Sequence, residues 1–338
     1  MRWWTLGRRA GTFLACFAFT CWPQTGRAAE PERVKFDTYD QVEIHGTYFA
    51  GDLGTKSPCA LVLHALGGSS REEGWDNLAK ELQKKHFAVL LFDFRGHGES
   101  TSVGNSFWYD RGNQTLRGFR RNKPKDQISY KDFTTLQNWL TLVNDIQAAK
   151  RFLDRKNDLS ECNSANTVVI GVESSAALGA LWIATEWQRP RVVNRFPPVP
   201  VNRGDLEGQD IECAVWLSFS PHIAVDKAKF TVHPEVWFAN PVREKVPMCF
   251  LYGDQDTKAK NYALHLYRKD KKQKLTVEKG IKDTKLSGRE LLGKSLNTEE
   301  LILTYVTKVI DDRGSNPWSK REIDRTIPTR VPFERFIR

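Results

Sequence analysis

Histidine and cysteine are scarce in this chain: seven and six among 338 residues. No HExxH pattern, paired Cys-x-x-Cys or acidic calcium loop occurs, so no metal site is expected. A glycine-rich phosphate loop is also missing. Gly96-His97-Gly98 lacks both the Walker lysine and the spacing of a dinucleotide site, so no cofactor is expected. The cysteine spacings do not resemble a disulfide scaffold. One pairing is open, but most of Cys59, Cys162, Cys213 and Cys249 are expected to be free, buried thiols that behave as small apolar side chains. Internal repeats and low-complexity tracts are absent. Acidic residues are outnumbered, 41 against 51 basic, for a net charge of +10.

What is present begins with an export pattern. Residues 1–9 carry Arg2, Arg8 and Arg9, residues 10–22 are uncharged, and Gly26-Arg27-Ala28 offers small residues where a signal peptidase reads. Residues 1–28 are therefore expected to be a signal peptide and the mature protein to be periplasmic or secreted. The uncharged stretch is short for a bilayer, so no transmembrane span is expected after its removal.

Pro58-Cys59-Ala60-Leu61-Val62-Leu63 is an apolar run ending at His64 and the pair Gly67-Gly68, as a buried parallel strand entering a loop should be. Trp75, Leu78, Ala79 and Leu82 then recur at three- and four-residue spacing, which predicts a helix. A second apolar run, Phe87 to Phe92, stops in the turn Asp93-Phe94-Arg95-Gly96-His97-Gly98-Glu99-Ser100. Strand, helix and strand make a right-handed parallel unit.

These residues resemble the α/β-hydrolase superfamily, its lysophospholipase-like and dienelactone-hydrolase-like esterases in particular. The matching segments are His64 to Gly68, Asp93 to Ser100, the helix around Asn144 to Ala149, the strand Thr167 to Ile170, and Val246 to Asp256. The resemblance covers about Val34 to Asp312. It implies an α/β-hydrolase fold: a mostly parallel sheet of about eight strands with helices on both faces, spanning residues 29–312. It also implies an oxyanion loop at Ala65, Leu66 and Ser174 and an acid at Asp256.

At the turn where that family holds its nucleophilic serine, this chain reads Gly171-Val172-Glu173-Ser174-Ser175. Gly171 and Ser175 are the small residues that let strand and helix approach, so Glu173 falls at the apex. Making Ser174 or Ser175 the apex puts larger residues at the tight positions. The histidine is missing as well. Beyond Asp256 the only one is His265, in an expected helix, and the loop Gly280 to Gly288 has none. Ser-His-Asp chemistry thus lacks two of its three members.

Glu173 has two readings. It is either a nucleophile like the elbow aspartate of haloalkane dehalogenases and epoxide hydrolases, or it pairs with Lys282 or Lys285 of the late loop where serine and histidine once met. His64 joins these lysines as a pocket candidate, with a hydrogen-bonded structural role expected.

Two insertions, about residues 104–132 and 188–210, interrupt the matched segments, and residues 221–246 are expected to form a lid. The first insertion mixes aromatic and basic residues and should sit near the carboxyl ends of the strands, where open α/β sheets bind ligands. Residues 313–338 form a basic tail whose spaced apolar residues would strap it to the body. The charge favours a small-molecule, lipid or anionic-polymer partner, and no nucleic acid is expected. Two functions stay open. One is an exported pseudo-hydrolase acting by binding. The other is an active hydrolase of carboxylic-ester-like or lipid substrates, working through Ser174 or Glu173.

Overall fold

The computed structural model describes residues 29–193, 199–200, 204–269, 273–322 and 330–336, so the expected signal peptide lies outside the described residues. The strands in chain order are β1 (Glu32–Asp37), β2 (Glu43–Phe49), β3 (Pro58–Leu63), β4 (Ala88–Phe92), β5 (Asn163–Val172), β6 (Val192–Val193), β7 (Val199–Pro200), β8 (Ile211–Leu217), β9 (His222–Val225), β10 (Ala228–Thr231), β11 (Met248–Gly253) and β12 (Val277–Ile281). The helices are α1 (Trp75–Lys84), α2 (Leu136–Leu140), α3 (Val143–Asp158), α4 (Glu173–Glu186), α5 (Pro234–Trp237), α6 (Val242–Lys245), α7 (Thr257–Lys269) and α8 (Thr298–Arg313). Eight strands form one sheet in the order β1-β2-β4-β3-β5-β8-β11-β12, with β2 antiparallel to both neighbours and all later pairs parallel.

The period-2 geometry of strands sorts the apolar runs between two cores. Cys59, Leu61 and Leu63 of β3 face the layer of α3, α4 and α7, whereas Ala60 and Val62 face α1 and α8. All of β5 is buried; its second half, Val168 to Val172, is apolar apart from Gly171, and the polar Asn163, Ser164, Asn166 and Thr167 before it are hydrogen-bonded. The expected helix is α1, with Trp75, Leu78, Ala79 and Leu82 inside. Cys59, Cys162, Cys213 and Cys249 are free thiols, all buried.

The turn after β4 is a polar clasp. Asp93 accepts the amides of Ser70 and Glu99 at 2.7 and 2.9 Å. Arg95 is fully buried and clamps two acids, Asp40 at 2.7 Å and Asp145 at 2.8 Å. Arg95 holds the Asp40 carboxyl below the usual range, while burial pushes Asp145 up to about 6.

The first insertion sits where expected, at the carboxyl end of β4: the Tyr130 amide donates to the Gly96 carbonyl at 2.9 Å, and the β1–β2 turn lies at the same end of the sheet. Asn113 donates to Asp40 at 2.9 Å, Gly104 donates to the Gln41 carbonyl at 2.7 Å, and Trp108 stacks on Phe119. These contacts draw residues 104–132 toward the turn between β1 and β2, and none of them lines the main cavity described below. The second insertion contributes the short β6–β7 pair, and its described residues do not line that cavity either.

The tail does strap down. Asn316 donates its side-chain amide to the Ala165 carbonyl at 2.9 Å and to Glu212 at 2.7 Å, and its backbone amide to Asn166 at 2.6 Å. Val331 and Phe333 are buried, and the Val331 amide donates to Asn144 at 2.7 Å. Asn316→Ala leaves buried acceptors at the start of β5 and β8 unpaired. It should lower the unfolding free energy by about 1–3 kcal/mol, measured by urea titration.

Candidate functional site

Strand β5 runs straight into α4, and the residue at the junction is Glu173, held at φ +48°. A non-glycine residue in this left-handed region is strained, and such strain persists where surrounding structure over-determines it. Here the constraint is close packing. A Cβ on Gly171 would lie 3.0 Å from the Ala176 Cα and 3.1 Å from the Trp216 ring. Ser175 is committed to structure: its hydroxyl accepts from the Val172 amide at 3.2 Å and lies 2.7 Å from the Val172 carbonyl and 3.1 Å from that of Leu63. The glutamate therefore occupies the apex and Ser174 follows it, in the first turn of α4, where amides lack intrahelical acceptors.

The apex opens into a cavity of about 590 Å³. Its walls come from the elbow (Glu173, Ser174), the loop after β3 (Leu66), the end of β8 and start of β9 (Ser218 to His222), the start of α7 (Asp256 to Tyr262) and Ser287 beyond β12. Residues 221–246 form the β9–β10 hairpin followed by α5 and α6, and Pro221, His222, Ala224 and Val225 are its cavity-facing residues.

The electrostatics of the apex are acidic. The Glu173 carboxyl is raised above its usual value by burial first, then by the negative charges of Glu290 and Asp256, with Glu72 adding to them and only Arg289 opposing. Arg289 is itself engaged by Glu72 at 3.1 Å and donates to the Glu73 carbonyl at 2.8 Å.

The expected pairing of Glu173 with Lys282 or Lys285 does not form. Both lysines are exposed and neither lines the cavity. The loop instead presents Gly288, at φ +54°, so close that a Cβ there would lie 2.5 Å from Glu173 Oε1. The turn brings glycine to the carboxylate and sends the lysines outward.

The other predicted residues divide. Asp256 lines the cavity, and one of its oxygens accepts the Ala259 amide at 3.1 Å. Of the oxyanion-loop positions, Leu66 and Ser174 line the cavity and Ala65 does not. His64 is not a pocket residue. It is buried, its Nδ1 donates to the Ala65 carbonyl at 2.8 Å and its Nε2 accepts the Phe94 amide at 3.0 Å, tying the ends of β3 and β4. Burial lowers its pKa and keeps the ring neutral, against the bond to Ala65 and the charge of Asp93, which favour the protonated form. His265 is exposed on α7.

Two cavity residues were missed by sequence reasoning. His222, on β9, bonds Thr231 at 3.0 Å and no carboxylate or elbow serine among the described residues. Ser218 directly follows β8 at φ +50°, is 2 % exposed, and its hydroxyl has no hydrogen-bond partner among the described residues. Its signal was available: it stands at the carboxyl end of a parallel strand, where open sheets place their sites.

Chemically, the site offers two carboxyl groups, hydroxyls and aromatic wall, but no imidazole bonded to an acid. No group of three or more His, Cys, Asp or Glu among the described residues could hold a metal ion. No described helix is long and apolar enough to cross a membrane.

Residues 61–158 match the family model described as alpha/beta hydrolase fold. Among solved structures, the esterase Pf2001 of Pyrococcus furiosus is similar at 18% identity and TM-score 0.54, over 82% of this chain and 92% of that one. Est1E of Butyrivibrio proteoclasticus, solved with ferulic acid bound, is similar at 14% identity and TM-score 0.50, over 82% and 98%. No curated protein matches the chain in sequence. With the eight-stranded sheet and the strained elbow, these likenesses define the class: this is a protein of the α/β-hydrolase fold.

Proposed function

We propose that this chain is an exported α/β-hydrolase-fold protein that acts by binding a ligand in the elbow cavity, without Ser-His-Asp hydrolysis. One observation carries the reading: a carboxylate stands at the strained apex and no histidine is bonded to Asp256. A serine hydroxyl without a base is a poor nucleophile, and general-base catalysis is worth roughly 10²–10⁴-fold. Export rests on the pattern of residues 1–28, and amino-terminal sequencing of the secreted protein tests it.

A second reading is hydrolysis through Ser174, favoured by the place of that hydroxyl on the cavity wall and by esterase neighbours of the same fold. Purified mature protein is treated with a fluorophosphonate probe and short p-nitrophenyl esters. The expected result is no label and no turnover above background. Labelling at Ser174 that disappears in Ser174→Ala overturns the binding reading. A covalent adduct on Glu173 from an alkyl halide or epoxide does so too, in favour of dehalogenase-like chemistry.

A further inference from the structure

We infer that the cavity takes a small organic cation, an amine with an apolar body, whose ammonium group pairs with Glu173 and bonds the hydroxyl of Ser218. This ligand class rests on reading the elbow as a binding site rather than a hydrolytic one.

Charge is the first support. Glu173 and Asp256 line the cavity, and Glu290 and Glu72 lie close enough to act on Glu173. The cations nearby are Arg289, already engaged by Glu72, and Lys258, an exposed lining residue; His222, also exposed, lines the cavity too. An anionic ligand would add to the negative cluster, whereas an ammonium group relieves it. The net charge of +10 belongs to the whole chain, and salt screens its exposed charges over about 8–10 Å. The local acids therefore decide the sign inside the cavity.

Ser218 is the second support and is independent of the first. A buried hydroxyl left without a partner costs stability, and buried polar side chains are ordinarily paired. This one is 2 % exposed, unpartnered and on the cavity wall. A primary ammonium has three donors and no acceptor, so it can serve the Ser218 lone pairs and a carboxylate together. The apolar part of the ligand is met by Phe219 and Tyr262, stacked with ring centroids 5.9 Å apart, and by Leu66 and Val225. The volume of about 590 Å³ lies within the range of small-molecule sites, roughly 300–1,000 Å³.

The test is calorimetric titration of the mature protein with three probes of one skeleton: phenylbutylamine, phenylbutanol and phenylbutanoate. The amine is expected to bind about tenfold or more tightly than the alcohol, and the carboxylate most weakly. Glu173→Gln should weaken the amine about tenfold or more while leaving the alcohol unchanged, and Ser218→Ala should weaken the amine by up to about tenfold. Binding should tighten as pH rises and Glu173 ionises, with proton release that Glu173→Gln abolishes and His222→Gln preserves. Equal binding of amine and alcohol, tighter binding of the carboxylate, or binding of none of the three overturns the cation site. Ester turnover in the assay above sinks the underlying reading instead, so the two failures are distinct.

Discussion

Arg95→Ala is expected to lower the unfolding free energy by about 3–5 kcal/mol, because it strands two buried carboxylates, Asp40 and Asp145, without their shared guanidinium. The same change removes three of the bonds that hold the turn after β4 against α3 and the β1–β2 turn. Urea titration followed by intrinsic fluorescence measures the loss. Lys308→Ala, which opens an exposed pair with Asp312, serves as the comparison and should leave the midpoint in place. If both variants shift the midpoint equally, the clamp contributes no more than a surface pair.

Glu173→Gly should do the opposite and stabilise the fold by about 1–2 kcal/mol, since glycine enters the left-handed region at φ +48° without the steric cost a side chain incurs. The variant also removes a carboxyl that burial and its acidic neighbours disfavour in the charged form. The pH dependence of Glu173→Gln isolates that second contribution. Because the folded carboxyl is raised above its ordinary 4.5, the folded state binds the proton more tightly than the unfolded state does. The stability associated with this residue is full at low pH and is lost as pH climbs from about 4.5 through the raised value. Glu173→Gln should therefore gain on the wild type across that window and match it in acid. Parallel stability curves at every pH would show that the carboxyl is not perturbed. A residue that weakens the fold where it stands is the kind found at working sites.

The sheet was legible because buried parallel strands write themselves as continuous apolar runs; β3 and β4 announced themselves this way, and β11 lies in a segment that carried the resemblance. The elbow was legible for a different reason: Gly171 and Ser175 are small at the two positions where β5 and α4 nearly touch, which left only Glu173 for the apex. The cavity walls were much less so. Lys282 and Lys285 stand at plausible chain distance from the apex, yet the backbone turns at Gly288 and points them outward. Residues 104–132 do sit at the carboxyl end of β4 as expected, but Asn113 and Gly104 tie them to Asp40 and Gln41, and none of them lines the cavity. Spacing along a chain does not encode the direction in which a loop folds back. His222 and Ser218 reach the cavity through a hairpin and a left-handed strand end, neither of which leaves a periodic trace.

The strap formed by the tail has a bearing on biogenesis. Translation proceeds from the amino end, so every strand of the sheet has been made before residues 330–336 exist. Without them, the Asn144 side-chain oxygen lacks the Val331 amide, although its nitrogen still bonds the Thr141 carbonyl, and the apolar seats of Val331 and Phe333 lie open. A chain cut short before these residues would carry an open apolar seam, which a holding chaperone would recognise and a protease could enter.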